Sequence, residues 1–379
     1  MIYMDNAATA WPKPLKVTDE VANCLLYYCA NPGRSGHDMA LKAEECIFKC
    51  RCKLCEMFGI DDPAKVIFTQ NATHALNIVI KGLLSRDSHA VITSMEHNSV
   101  LRPLAATGAM YDTVMADKDG YVNEQDVEKL IKSNTSLIIC TLSSNVCGSV
   151  QPFDKIAKIA KKHNIPFLLD ASQGAGVIDI DMNKMHIDYL AAPGHKGLLG
   201  PTGTGVLCIN SNIRLRSFMQ GGTGSESKII SQPETLPDRF ESGTLNVAGI
   251  AGLSAGIDFI NTHGRQNILN HESMMTNMLA SKLSDIPNVR LIGYNSLKPR
   301  TAVLSVVIDG VDSLIAASKL NTCYDIAVRA GFHCAYTAHC TLGTQNTGTI
   351  RFSPGVFNTR DDIEKVCSAV NQIALQNAV

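Results

Sequence analysis

A lysine able to act as a nucleophile stands in the stretch Ala191-Ala-Pro-Gly-His-Lys-Gly-Leu-Leu-Gly-Pro-Thr-Gly-Thr-Gly205. Lys196 directly follows His195 and lies between a short apolar run and a glycine-rich loop. Glycines on both sides let the backbone turn sharply and come close to a bulky ligand. Burial and neighbouring positive charge can strip such a lysine of its proton, leaving an amine that forms a Schiff base. The same pattern also suits a solvated turn lysine, so its meaning depends on what the rest of the chain brings to it.

The elements that would position Lys196 follow from alternation along the chain. Short apolar runs predict strands at 65–69, 89–93, 113–115, 137–142, 167–170, 189–191 and 205–209. Helices are expected at 16–28, 41–58, 123–132 and 153–163, and another opens at 70–77. Such alternation predicts a largely parallel sheet covered on both faces, hence an α/β fold. Pro12 and Pro14 keep the entry segment extended, and Asn31 to His37 reads as a loop. The stretch 221–243, rich in Gly, Ser and Pro, is a connection long enough to be functional. A helical pattern over 246–262 continues towards 285 after a break near His263 and Gly264. Strands at 302–308 and 349–353 and helices at 311–320 and 360–376 then describe a smaller α+β unit. The expected division is a large domain over 15–250 and a small one over 251–379, with 1–14 packed back on it.

In an α/β sheet, chemistry gathers beyond the C-terminal ends of the strands. Thr73, His97, Asn145 and Asp170 all fall at or just after predicted strand ends, as does Lys196. Asp and Asn are also ordinary turn residues at such places.

Bulk properties narrow the class. A chain of 379 residues, 45% hydrophobic and 18% charged, suits a soluble globular protein with a substantial core. A formal charge of −1 offers no electrostatic case for nucleic acid or an acidic membrane surface. No apolar run approaches a bilayer span, and no signal peptide is visible at the N-terminus. The 13 cysteines are odd in number and irregular in spacing, which argues against a disulfide framework and for a reducing cytoplasm. Cys46, Cys50, Cys52 and Cys55 fall on one predicted helix and point in several directions, so no metal is expected.

The set becomes specific through Tyr3-Met-Asp-Asn-Ala-Ala-Thr9, Glu96-His97, Leu169-Asp-Ala-Ser-Gln173, Gly194-His-Lys196, Arg239-Phe-Glu-Ser-Gly-Thr244 and Arg329-Ala-Gly-Phe-His-Cys-Ala335. In this order, and on to Phe357-Asn-Thr359, the chain resembles the pyridoxal-phosphate enzymes of fold type I, in the class V aminotransferase group. Within that group it is similar to the cysteine desulfurases and selenocysteine lyases. The resemblance implies that Lys196 holds pyridoxal 5'-phosphate as a Schiff base and then removes the substrate α-proton. It pairs Asp170 with the pyridine nitrogen, which keeps the ring an electron sink. Gln173 would donate to the ring oxygen, His97 would stack on the ring, and Asn145 would face ring or substrate. Thr73, near a helix start, and His195 would hold the phosphate. Thr244 would reach the phosphate of a neighbouring subunit, which implies a homodimer with a shared site. Pro193 and His74 depart from the family, where many relatives carry a hydroxyl residue and a glutamate.

The reaction rests on Cys334. It lies in a glycine-containing loop after His333 and near Arg329, surroundings suited to a reactive thiol. The resemblance makes it the acceptor of the substrate sulfur, with L-alanine released and a persulfide left. Arg351 would grip the substrate carboxylate through two parallel hydrogen bonds, assisted by Arg329. The short interval from Cys334 to Arg351 resembles type II desulfurases, which implies modest activity alone and a separate sulfur-acceptor protein. His339 and Cys340 repeat the His-Cys pairing and read as a polar loop or a resolving thiol. The expected substrate is L-cysteine. L-selenocysteine, transamination or lysis of another small amino acid, and a non-enzymatic sulfur relay are the alternatives. No strand is followed by G-x-G-x-x-G, so a nicotinamide cofactor is not expected.

Overall fold

The computed structural model describes residues 1–32 and 36–375. The predicted loop from Asn31 to His37 lies partly outside them, at 33–35, as does Gln376 at the end of the predicted last helix. Seven strands form the large sheet in the order Val66–Thr69, Gly205–Ile209, Tyr189–Pro193, Phe167–Asp170, Thr135–Thr141, His89–Thr93 and Met110–Val114. The last five run parallel to one another. Gly205–Ile209 is antiparallel to both of its neighbours.

A parallel sheet must be covered on both faces. The period of two is visible in Thr135–Thr141, where Leu137 and Ile139 join one core and Ile138 and Cys140 the other. Because all strands but Gly205–Ile209 point the same way, Thr69, Thr93, Thr141, Asp170 and Pro193 all end on one side of the sheet. That side carries the site.

The smaller unit is a four-stranded antiparallel sheet, Arg329–Gly331, Thr349–Phe352, Leu304–Ile308 and Val289–Ile292. Helices Arg265–Ser284, Ser313–Tyr324 and Arg360–Leu375 pack with it. The N-terminal strand Ile2–Tyr3 pairs in parallel with Ile326–Ala327, and Met4 enters the same core. The expected division at residue 250 cuts inside the helix Val247–His263, whose buried residues belong to the core of the large sheet. That helix is apolar almost all round and ends at Gly264, where φ is +83°, so the chain offers no break at 250.

Smaller differences have local causes. The edge strand Met110–Val114 starts earlier than the predicted 113–115, since its first residues are exposed and carry no core-facing signal. The helix Asn98–Thr107 has no predicted counterpart because Pro103 inside it masks the helical pattern. The strand Val289–Ile292 is likewise new. No helix among the described residues is long and apolar enough to cross a membrane.

Candidate active site

Lys196 sits on a loop that closes on itself. Gly194 N–H donates to the Thr204 carbonyl, Gly200 N–H to that of Gly194, and Leu199 N–H to that of Lys196, each at 2.8 Å. A Cβ at Gly197 would strike the Ala175 carbonyl, and one at Gly256 of the helix Val247–His263 would strike that of Leu198. Glycine is what lets these backbones approach. From the other side, Thr9 Oγ1 and Lys13 Nζ donate to the His195 carbonyl at 3.2 and 2.7 Å. The backbone of this loop is thus tied from both sides. Burial, then the positive charge of Arg351, lower the Lys196 amine from 10.5 to about 8, with Asp170 opposing.

Thr73, His97, Asn145, Asp170 and Gln173 line one cavity of about 220 Å³ together with His195 and Lys196. Asp170 ends its strand and is 2% exposed. Its Oδ1 accepts from the Ser172 N–H at 3.0 Å and the Ser172 hydroxyl at 2.5 Å. Gln173 Nε2 donates to the Ala7 carbonyl at 3.0 Å. His97 caps the helix Asn98–Thr107, its Nδ1 accepting from the Ser99 N–H at 3.1 Å, which leaves the ring proton on Nε2. Ser99 Oγ lies 2.9 Å from that Nδ1 and 2.7 Å from Thr73 Oγ1. Burial lowers both His97 and His195 to about 4, so both rings are neutral at pH 7. Asn71, not Thr73, caps the helix Ala72–Leu83, leaving the Thr73 hydroxyl and the first-turn amides at the cavity.

Cys334 is exposed, on the loop between Arg329–Gly331 and the helix Tyr336–Thr341. Arg329 Nη2 lies 3.8 Å from its sulfur. Asn98 N–H donates to the Cys334 carbonyl at 2.8 Å, and Asn145 Nδ2 to the His333 carbonyl at 2.7 Å. Arg351 is 1% exposed. Its Nη2 lies 2.7 Å from Asp5 Oδ1 and its Nη1 donates to the Asn145 carbonyl at 3.0 Å, while the buried Nε has no partner among the described residues.

Two predicted groups stand apart. Thr244 is exposed and borders a separate cavity, with His74 and Ser242. The His339 ring is fully buried, with Nδ1 2.7 Å from Thr344 Oγ1, whereas Cys340 is exposed, so this pair faces two ways. The cysteines at 46, 50, 52 and 55 share the helix Asp38–Phe58, with Cys50 and Cys55 buried.

Four contributors had no predicted role: Asp5, Glu96, Ser99 and Ser172. Ser172 two residues after Asp170 is a local turn signal that could have found it. Glu96 is fully buried, its Oε1 accepting from Thr93 Oγ1 at 2.6 Å and the Thr141 N–H at 2.9 Å. Burial raises its carboxyl to about 8.

A lysine with a weakened hold on its proton, a buried carboxylate, a neutral imidazole and a helix start with a hydroxyl, shared with Ser99, face one cavity. His195 adds a buried Nδ1 with no partner among the described residues. This donor set fits pyridoxal phosphate, an aldehyde with a basic ring nitrogen and a dianionic phosphate.

Comparison with known proteins gives the family. Residues 2–366 match the family model of the class-V aminotransferases. A probable cysteine desulfurase of Methanothermobacter thermautotrophicus is 33% identical across 98% of this chain and 94% of its own. A cysteine desulfurase of Thermococcus onnurineus, solved without ligand, superposes with a TM-score of 0.93 at 31% identity, covering 99% of this chain and 95% of that one. A cysteine desulfurase of Escherichia coli, in an S-sulfonic acid form, gives 0.88 at 25% identity, covering 100% and 95%. The chain belongs to the class-V aminotransferase family, on its cysteine desulfurase branch.

Proposed function

We propose that the chain is a pyridoxal-phosphate-dependent desulfurase that takes sulfur from L-cysteine, yielding L-alanine and a persulfide on Cys334. The observation that carries this reading is the exposed Cys334 thiol, 3.8 Å from the Arg329 guanidinium, on a loop tied to the cavity wall through Asn145.

When bound, the cofactor supplies an electron sink for the bonds at the substrate α-carbon. Lys196 would anchor it and carry the proton taken from and returned to that carbon. Its value of about 8 leaves a useful unprotonated fraction near neutrality. Asp170 would pair with the ring nitrogen, Gln173 lie beside the ring oxygen and His97 cover the ring. Thr73 and His195 would take the phosphate, joined by Thr244 from the second subunit of a homodimer. Arg351, whose Nε has no partner among the described residues, would bind the substrate carboxylate. The Cys334 sulfur attacks the substrate sulfur and an S–S bond forms. The C–S bond breaks, its electron pair stays on carbon, and a proton completes alanine.

The segment from Cys334 to Arg351 holds the helix Tyr336–Thr341 and joins the strand Thr349–Phe352. Such order favours the type II pattern, in which a separate acceptor protein collects the sulfur. The test supplies L-cysteine and reductant to wild type and Cys334→Ala. Sulfide and alanine in equal amounts from wild type, with neither from the variant, are expected. Equal release from both would refute the role of Cys334.

A further inference from the structure

Asn145 lines the cavity, and two of its contacts lie outside its expected role of facing ring or substrate. Its side-chain Nδ2 donates to the His333 carbonyl at 2.7 Å. Its own carbonyl accepts from Arg351 Nη1 at 3.0 Å. One residue therefore touches both the arginine assigned to the substrate carboxylate and the loop of the sulfur-accepting thiol.

The two ends differ in stiffness. The turn that carries Asn145 is pinned to the small sheet: Ser305 Oγ donates to the Val146 carbonyl at 2.6 Å, and Arg300 Nη2 to that of Cys147 at 2.7 Å. Arg351 is held by Asp5 as well. The cysteine loop, by contrast, places two consecutive non-glycine residues in the left-handed region, His333 at φ +48° and Cys334 at +59°. Such backbone persists only where its surroundings hold it. The holders are Asn145 on the His333 carbonyl and Asn98 N–H on the Cys334 carbonyl, with the His333 ring anchored beneath at 2.9 Å from Thr349 Oγ1. Asn145 touches Arg351 directly, whereas the His333 ring reaches only Thr349, two residues before Arg351 on its strand.

We propose that Asn145 is a positioning residue that ties occupancy of Arg351 to the placement of the Cys334 thiol. The proposal rests on the desulfurase reading. A carboxylate arriving at the unpartnered Nε of Arg351 redistributes that guanidinium's hydrogen bonds. The Asn145 carbonyl is one of them, and its amide passes the change to the strained loop.

The test measures the rate at which iodoacetamide alkylates Cys334, located by peptide mass, in the cofactor-loaded protein with and without L-alanine. L-alanine carries the carboxylate and leaves the thiol free. Wild type should show a change of about fivefold or more on adding L-alanine. Asn145→Asp keeps the backbone carbonyl but replaces the amide donor with an acceptor, and its L-alanine response should vanish. With L-cysteine, this variant should lose about 10- to 100-fold in kcat, as a displaced reacting group does, while KM stays within about threefold.

Asn98→Pro cuts the other tether. Proline suits the first helical position, and His97 already has the extended backbone that a following proline requires. This variant should alkylate faster than wild type and keep the L-alanine response. A wild type indifferent to L-alanine overturns the coupling, as does Asn145→Asp with a full response or with only a raised KM. Failure of wild type to make alanine from L-cysteine would instead overturn the desulfurase reading.

Discussion

At the scale of single residues, the site works by moving protons away from their ordinary places. Lys196 is the clearest case, because its amine is lowered to about 8 by burial and then by Arg351. In cofactor-free protein, acylation of Lys196 followed by peptide mass should rise with pH through a midpoint near 8. A midpoint near the ordinary 10.5 would mean that the amine is solvated. Arg351 invites a second prediction. Substituting Gln removes a charged donor while keeping a polar side chain, and a charged hydrogen bond contributes about 1.5–3 kcal/mol. KM for L-cysteine should rise about 10- to 150-fold by that measure, read from steady-state alanine formation. Several of these residues were legible in the sequence, because strand-and-loop periodicity alone puts Thr73, His97, Asn145, Asp170 and Lys196 at strand ends. The Asp5–Arg351 pair was not. Its partners are 346 positions apart, brought together by the bridge between Asp5 and Ser353 and by the hydrogen bonds of Met4, Asn6 and Ala7 with Ser353.

Among elements, the helix Val247–His263 does more than fill space. Its Gly256 lies against the Leu198 carbonyl, and its Leu253 side chain packs beside Gly194 and Gly200, so this helix sets where Lys196 stands. Gly256→Ala should push the loop aside, costing about 1–3 kcal/mol by overpacking and weakening cofactor uptake. Both are measurable, by urea denaturation and by absorbance of the bound cofactor. The turn after His89–Thr93 gives a pH-dependent case. Glu96 is raised from 4.5 to about 8 in the folded chain. The folded state thus holds the proton more tightly, and its stability should fall as pH climbs from about 4.5 through about 8. Glu96→Gln keeps an acceptor for Thr93 and Thr141 but cannot ionise, so its urea midpoint should fall less over that range. The parallel strands were readable as continuous apolar runs, and the helix Asn98–Thr107 was hidden by Pro103. The hydrogen bond from Asn98 to Cys334 was therefore hidden as well.

For the whole molecule, the buried pair Arg51–Glu241 fastens the long connection before Thr244 to the body of the large sheet. The two side chains approach to 2.6 Å, Arg51 also donates to the Val66 carbonyl, and Glu241 Oε1 accepts from the Phe68 N–H at 2.6 Å. Removing one partner strands the other charge out of water, at a cost of about 3–5 kcal/mol. Glu241→Ala should lose that much in denaturant and loosen the segment that presents Thr244. The two-sheet division was visible as a change of pattern along the chain. Its position was not, since the apolar pattern of Val247–His263 runs unbroken past residue 250.

The most direct test of the central claim is a single turnover. Cofactor-loaded protein is mixed with one equivalent of L-cysteine without reductant, then digested for peptide mass analysis. The desulfurase reading requires one added sulfur atom on the peptide containing Cys334, in step with one alanine released. Alanine formed while that peptide stays unmodified, or a keto acid in place of alanine, would contradict it.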